Sequence, residues 1–426
     1  MKIKTWTVGF AVLTLVTAPA FAETGLGQRS YDQNIVPVGC ESCDTGCCDD
    51  DCCGDPCCGD PCCGDGVAAT GLLSGMGPGI VEGFTLAGAL GIDALDIGGW
   101  SEFGWTDDVI PLSTTPGDEL SFRDTPDDLD LNQQWFYIGK AADGSNGLGL
   151  GFRADIMYGT DAHTAQSFGN PPGVVTGGPG DGTFDNNTRW DHGVYGWAIP
   201  QLYGEVAVGD FSVKVGHFFT VAGYEVVPAT GNFFYSHALT HFNSEPFTHT
   251  GLLSAYTGFE GITLYNGWTL GWDTGFDSIN SGSSYIGGIG LSLSDAITFT
   301  YINTYGNFGD RDLGGDDSYY HSLLLTVGVT DKLQYVAESD YLRTDNTDED
   351  DLSLVNYLFY GVNDWLKAGT RIEWWKNEGV SNYEFTSGVN ISLLGNLIVR
   401  PEYRSDWVPA TDFSVENVAC DMILTY

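Results

Sequence analysis

From Ala94 onward the apolar residues of this chain recur at every second position, in stretches of about ten residues or more. That rhythm commits the backbone to strands, because a period of two sends successive side chains to opposite faces of a sheet. It is clearest at 261–275, GITLYNGWTLGWDTG, where Ile262, Leu264, Trp268, Leu270 and Trp272 share one face with Asn266 as the only break. Thr263, Tyr265, Gly267, Thr269, Gly271 and Asp273 take the other face. At 365–375, Leu366, Ala368, Thr370, Ile372 and Trp374 oppose Trp365, Lys367, Gly369, Arg371 and Glu373. At 383–393, Phe385, Val389, Ile391 and Leu393 oppose Glu384, Thr386, Asn390 and Ser392. Soluble sheets use strands of about five or six residues, so longer strands with one greasy face suit a bilayer crossing.

Sixteen such segments are expected, at 94–106, 134–142, 148–159, 195–208, 211–219, 249–258, 262–275, 283–293, 297–306, 318–330, 332–343, 352–361, 363–375, 383–393, 396–406 and 415–426. Tight turns follow the even-numbered ones, among them Gly209-Asp210, Ser294-Asp295, Thr330-Asp331, Val362-Asn363 and Leu394-Gly395. Longer polar loops follow the odd ones, as at 107–133, 160–194 and 220–248. Soluble sandwiches mix their loop lengths, whereas outer-membrane barrels keep short turns at the periplasmic end and long loops outside. The fold expected is all-β, a transmembrane antiparallel barrel of about sixteen strands with both termini in the periplasm. The tail VENVACDMILTY alternates and stops on an aromatic, the form of last strand presented to the barrel assembly machinery.

The N-terminus reads as an export signal over 1–22, with Lys2 and Lys4 before an apolar stretch and Ala20-Phe21-Ala22 as the cleavage site. An acidic, Cys-rich flexible leader is expected over 23–70, then a linker over 71–93 with a short helix near Ile80–Leu90, and the barrel over 94–426. The formal charge of −41 excludes nucleic acid as a partner, since phosphate binding needs clustered cations.

The runs NQQWFYIGK (132–140), YGTDA (158–162), YGWAIPQLYGEVAVGDFSVKVGHFFT (195–220), GYEVVPATGNFFYSHALT (223–240), EPFTHTG (245–251), GWDTGFD (271–277), RIEWWK (371–376) and RPEYRSDW (400–407) resemble the OmpL-like β-barrel porins common in planctomycete-type bacteria. The likeness covers about 94–426. It implies an outer-membrane barrel with porin function and carries over no catalytic residue.

A barrel of that girth leaves an aqueous lumen with polar inward positions. The strand assignment turns inward Arg153, Lys214, Lys332, Lys367, Arg371, Arg400 and Arg404, and against them Asp155, Glu205, Asp273, Glu338, Asp340, Glu373 and Glu402. Seven cations against seven anions give the wall no strong net sign, which leaves the negative charge to the outer loops and leader. The loop 220–250 is different, being apolar and aromatic, with Phe233, Phe234, Tyr235, Phe242 and Phe247. A long surface loop of that composition needs a role. Folding inward would bury its rings and narrow the pore, with Glu225, Phe233, Phe234, Tyr235, His237 and His241 at the constriction; the alternative is a latch onto a neighbouring barrel. His237 and His241 stand four apart, a spacing that on a helical turn could grip a metal, but packing and hydrogen bonding are favoured because no ligand set is completed.

Ten of the eleven cysteines, Cys40, Cys43, Cys47, Cys48, Cys52, Cys53, Cys57, Cys58, Cys62 and Cys63, fall in the leader. Disulfides, including links to envelope components, are favoured over metal binding or an unstructured leader, since an exported chain meets an oxidising compartment. Hydrolase, Walker and dinucleotide signatures are missing from the sequence. The sequence therefore points to a passive channel for small hydrophilic solutes, embedded in outer-membrane lipid, without cofactor or metal and open to homo-oligomerisation. The rivals are a plugged structural or adhesive barrel and a secreted enzyme on a soluble all-β scaffold.

Overall fold

The structure, a computed structural model, describes residues 85–90, 94–108, 122, 126–167, 185, 191–276, 281–309, 317–345 and 350–426. The export signal, the leader with its ten cysteines and most of the linker lie outside the described residues.

After a short helix α1 (Leu86–Leu90), sixteen strands follow: β1 (Asp96–Thr106), β2 (Asp130–Lys140), β3 (Leu148–Gly159), β4 (Gly196–Val208), β5 (Phe211–Phe219), β6 (Thr248–Phe259), β7 (Ile262–Thr269), β8 (Ser283–Ser294), β9 (Ile297–Asn307), β10 (Ser318–Thr330), β11 (Leu333–Arg343), β12 (Asp350–Asn363), β13 (Leu366–Asn377), β14 (Val380–Leu394), β15 (Leu397–Val408) and β16 (Phe413–Thr425). A one-turn helix α2 (Ala162–Ala165) lies between β3 and β4. Each strand pairs antiparallel with the next, and β16 closes on β1 with Trp100 opposite Thr425. Beyond that ladder Gly99 and Tyr426 exchange backbone hydrogen bonds of 2.9 and 3.0 Å. Closure removes the sheet edge and satisfies the backbone within the wall, the condition for crossing lipid as strands.

The two faces are sorted as the alternation requires. On β12, Leu352, Leu354, Leu358 and Tyr360 are exposed while Asp351, Ser353, Val355, Tyr357 and Phe359 are buried. Exposed large apolar side chains recur round the barrel, as at Phe136, Ile156, Leu202, Leu252, Trp268, Ile372 and Val418, while arginines and carboxylates are buried inside. That inverts the sorting of a soluble protein and is the surface of a lipid-embedded barrel.

Six of the seven even-strand connections are two-residue turns, from Val208/Phe211 to Leu394/Leu397. Their rim is stitched together: Asp210, Gly261, Ala296, Lys332, Trp365 and Asn396 each accept at 2.7–2.9 Å a backbone N–H from the next hairpin. Longer connections follow most odd strands, but not β13. There the turn is only Glu378-Gly379, with φ of 45° and 87°, a mirror-image turn whose twist matches two long strands. The expectation of a longer loop after every odd strand fails at that hairpin.

The second correction is β7, expected to run to 275 but ending at Thr269. Gly271 at φ 110° and Asp273 at φ 49° turn the chain off the strand direction. Trp272, assigned from the alternation to the lipid face, is instead 1% exposed and inside the barrel. It stacks on Phe308 at 4.4 Å, meets Tyr320 edge-on at 5.1 Å and donates its indole N–H to Thr304 at 3.2 Å.

Candidate functional site

The chain leaves β5 at Phe219 and does not re-enter the wall until Thr248. Between them lie a 3-10 turn at Ala229–Gly231 and a short helix α3 (Leu239–Ser244). A long excursion rich in rings cannot stay solvated without cost, because exposed apolar surface is unfavourable by about 25 cal/mol per Å². Its side chains are accordingly buried, Phe234 at 3%, Tyr235 at 6% and Phe242 at 0%.

The loop's root is closed by Thr220 N–H donating to Phe247 O at 3.0 Å. Asp273, just past β7, accepts the amides of Phe247 and Thr248 at 2.8 Å each. From that root the loop reaches Gln133 on β2, whose side chain donates to Val227 O at 2.9 Å and accepts from Ala229 N–H at 3.0 Å. On β15, Arg400 donates to Ala229 O and Asn232 O at 2.9 and 2.7 Å, and Glu402 accepts the amides of Tyr235 and Ser236 at 2.9 and 3.1 Å. Arg404 donates to His237 O. On β13, Arg371 donates to Ser236 O at 2.8 Å and to Glu225 Oε1 at 2.6 Å. Glu373 accepts the first amides of α3, Leu239 and Thr240, at 2.6 and 2.7 Å, satisfying N–H groups that a helix start leaves open. In a closed ring of sixteen strands β5 and β13 stand eight apart in either direction. The loop therefore crosses the lumen from wall to wall.

The rings pack where the wall makes room. Phe233 lies 4.7 Å from Phe359 on β12 and 4.9 Å from Phe234. A Cβ at Gly369 would sit 2.5 Å from the Phe233 ring, and one at Gly104 would sit 2.2 Å from the Tyr235 hydroxyl, so both wall positions need glycine. Phe122, from the loop after β1, enters the same space at 4.7 Å from His237 and 5.5 Å from Phe247.

His237 and His241 stack at 4.5 Å, and each reaches a different carboxylate: His237 Nδ1 to Glu225 at 3.0 Å, His241 Nδ1 to Glu245 at 3.2 Å. Burial pushes the Glu225 carboxyl up, but Arg371 and then His237 outweigh it and hold the group well below the usual carboxylate range.

The inward charges are thus engaged with the loop and with each other more than with open water. Arg153 bonds Asp155 at 2.5 Å and Asp96 at 3.2 Å, and Asp155 also accepts from Trp135 at 3.0 Å. Glu205 stands opposite Lys214 in the β4–β5 pair, and Lys214 lies 4.9 Å from the Tyr203 ring. Lys367 is half-buried on β13, Glu338 and Asp340 are buried on β11, and Asp273 lies beyond its strand. Lys332 does not face the lumen, because it sits exposed in the two-residue turn before β11.

Sequence reasoning missed Glu102, Glu384, Asp406 and Asp421, all inward and buried. Glu384 accepts from Arg371 at 2.9 Å, Asp406 from Arg404 at 2.8 Å, and Asp421 from Arg400 at 2.9 Å. The same alternation could have found them, since Glu384 falls on the polar face of its segment. With these four added and Lys332 removed, the wall is acid-rich, not balanced.

The family described as "Putative beta-barrel porin-2, OmpL-like" matches residues 95–419. Among solved structures, the anion-selective porin from Comamonas acidovorans is similar at 10% identity and a TM-score of 0.52, over 78% of this chain and 99% of that one. The outer membrane channel DcaP of Acinetobacter baumannii is similar at 10% identity and a TM-score of 0.49, over 78% and 96% of the two chains. The outer membrane protein OmpT of Vibrio cholerae, in trimer form, gives 11% identity and a TM-score of 0.48 over 78% and 99%. No curated protein matches the chain.

Proposed function

The chain belongs to the OmpL-like β-barrel porin family, and from that premise we propose that this outer-membrane channel has its flow set by the loop 220–247, with Glu225, Phe233, Phe234, Tyr235, His237 and His241 at the narrowest level. The observation that carries the reading is the crossing itself: amides and carbonyls of one loop segment are held by Gln133 on β2 and, on the far wall, by Arg371, Glu373, Arg400, Glu402 and Arg404. Sixteen strands spaced about 4.8 Å apart close to a diameter on the order of 30 Å, so a crossing loop governs the cross-section that the strands leave. The acid-rich wall would favour cations among small hydrophilic solutes.

A second reading, a barrel closed at rest, draws on the three buried apolar clusters that form round the inward segments. Single-channel recording of the parent and of a loop-shortened variant separates the two. A conducting parent supports constriction, and a silent parent with a conducting variant supports a plug. The remaining parts of the reading are that both termini are periplasmic, that the barrel assembly machinery inserts the chain, that it can oligomerise, and that a leader over 23–70 forms disulfides with envelope components.

A further inference from the structure

Most buried carboxylates described above meet a guanidinium or backbone amides. One group inside the barrel has no guanidinium beside it among the described residues. Glu245, at the C-terminal end of α3, and Glu338 and Asp340 on β11 are 2%, 2% and 1% exposed. One carboxylate oxygen from each lies within 4.8 Å of the others. Asp340 accepts from the Tyr320 hydroxyl at 2.8 Å, lies within hydrogen-bond reach of Glu245, and Glu245 is met by His241, but among the described residues no arginine or lysine bridges the three. Glu338 Oε1 and Asp340 Oδ1 are buried without a hydrogen-bond partner. The hydroxyl of Ser322, 2% exposed and directly opposite Asp340 in the β10–β11 pair, lies against the Asp340 carboxylate.

We propose that Glu245, Glu338 and Asp340, with Ser322 beside them, bind a hard divalent cation of the calcium class and so tie the returning end of the loop to β11. Three carboxylates this close and this dry cannot all ionise without a counter-charge. The central donors are all oxygen, which suits calcium or magnesium and not the softer zinc or copper. Calcium tolerates irregular carboxylate shells, whereas magnesium demands near-ideal octahedral geometry and keeps its waters. The site needs only the docked loop and stands apart from whether that loop limits flow.

The test is terbium titration of the full-length, EDTA-treated protein in detergent, with Tyr320 as the antenna beside Asp340. The expected result is one saturable site with sensitised emission, displaced by calcium. Glu338→Gln and Asp340→Asn, isosteres that also relieve repulsion and should fold, should weaken it by about tenfold or more. Tyr320→Phe should lower the emission, with Trp272 at 5.1 Å left as a second antenna, yet retain calcium binding by calorimetry. Two results would overturn the proposal: affinity and stoichiometry unchanged in both isosteres, which would put the ion on exposed acidic loops, or no saturable binding with isosteres that melt higher than the parent, which would mean that shared protons neutralise the trio. Neither result depends on channel conductance.

Discussion

Arg371 on β13 donates to Glu225 Oε1 at 2.6 Å, from a strand eight positions away from the one where the loop bearing Glu225 begins. The same guanidinium holds Glu384 at 2.9 Å and Ser236 O at 2.8 Å, so one side chain joins wall to wall and wall to loop. Arg371→Lys keeps the charge but loses the fork that serves these partners together. Breaking such a buried pair costs about 3–5 kcal/mol. The variant should fold as a barrel and show marked current noise, read in planar bilayers.

The Glu225 clasp should also be acid-sensitive. Its carboxyl is held well below its ordinary 4.5 by Arg371 and His237, against the upward push of burial. A depressed carboxyl stabilises the docked loop fully above the ordinary carboxylate range and loses that contribution as pH falls below it toward the folded value. Noise should stay constant from neutral pH down to about 5 and rise on further acidification. Glu225→Gln should be noisy at neutral pH and lack the acid step.

The lipid and lumen faces differ in what they tolerate. Leu358 is 44% exposed near the middle of β12, so Leu358→Arg should lower folding stability in vesicles by about 2–4 kcal/mol. Asn390, inward on β14, should accept arginine with a far smaller loss. Equal losses would reverse the face assignment.

Membrane orientation can be read on intact cells. An epitope inserted between Asp348 and Glu349 should be labelled from outside, and one between Gly209 and Asp210 should not. Labelling of the second alone would invert the barrel.

Most of the wall was legible in the sequence because a strand with one face in lipid and one in a polar lumen must alternate. Leu366 to Trp374 and Phe385 to Ile391 do so without a break in register. What misled was alternation continuing past the end of a strand. Leu270 and Trp272 keep the period, yet Gly271 and Asp273 take positive φ and turn Trp272 inward onto Phe308. The loop's inward course was legible in its rings, since Phe233, Phe234 and Tyr235 have no reason to face water. Its anchors were not. That Glu373 would receive the Leu239 and Thr240 amides, and Glu402 those of Tyr235 and Ser236, depends on contacts across more than 130 residues of chain that no local pattern records.

The most direct test of the account is single-channel conductance after 228–243 is shortened to a few glycines and serines, with the barrel verified by its resistance to unfolding in detergent. Phe233→Ser with Phe234→Ser serves as the intermediate case. The account predicts severalfold higher conductance for the shortened loop and a noisier, intermediate channel for the double substitution. A shortened variant that conducts like its parent, and instead no longer runs as an oligomer, would contradict it and make the loop a subunit latch.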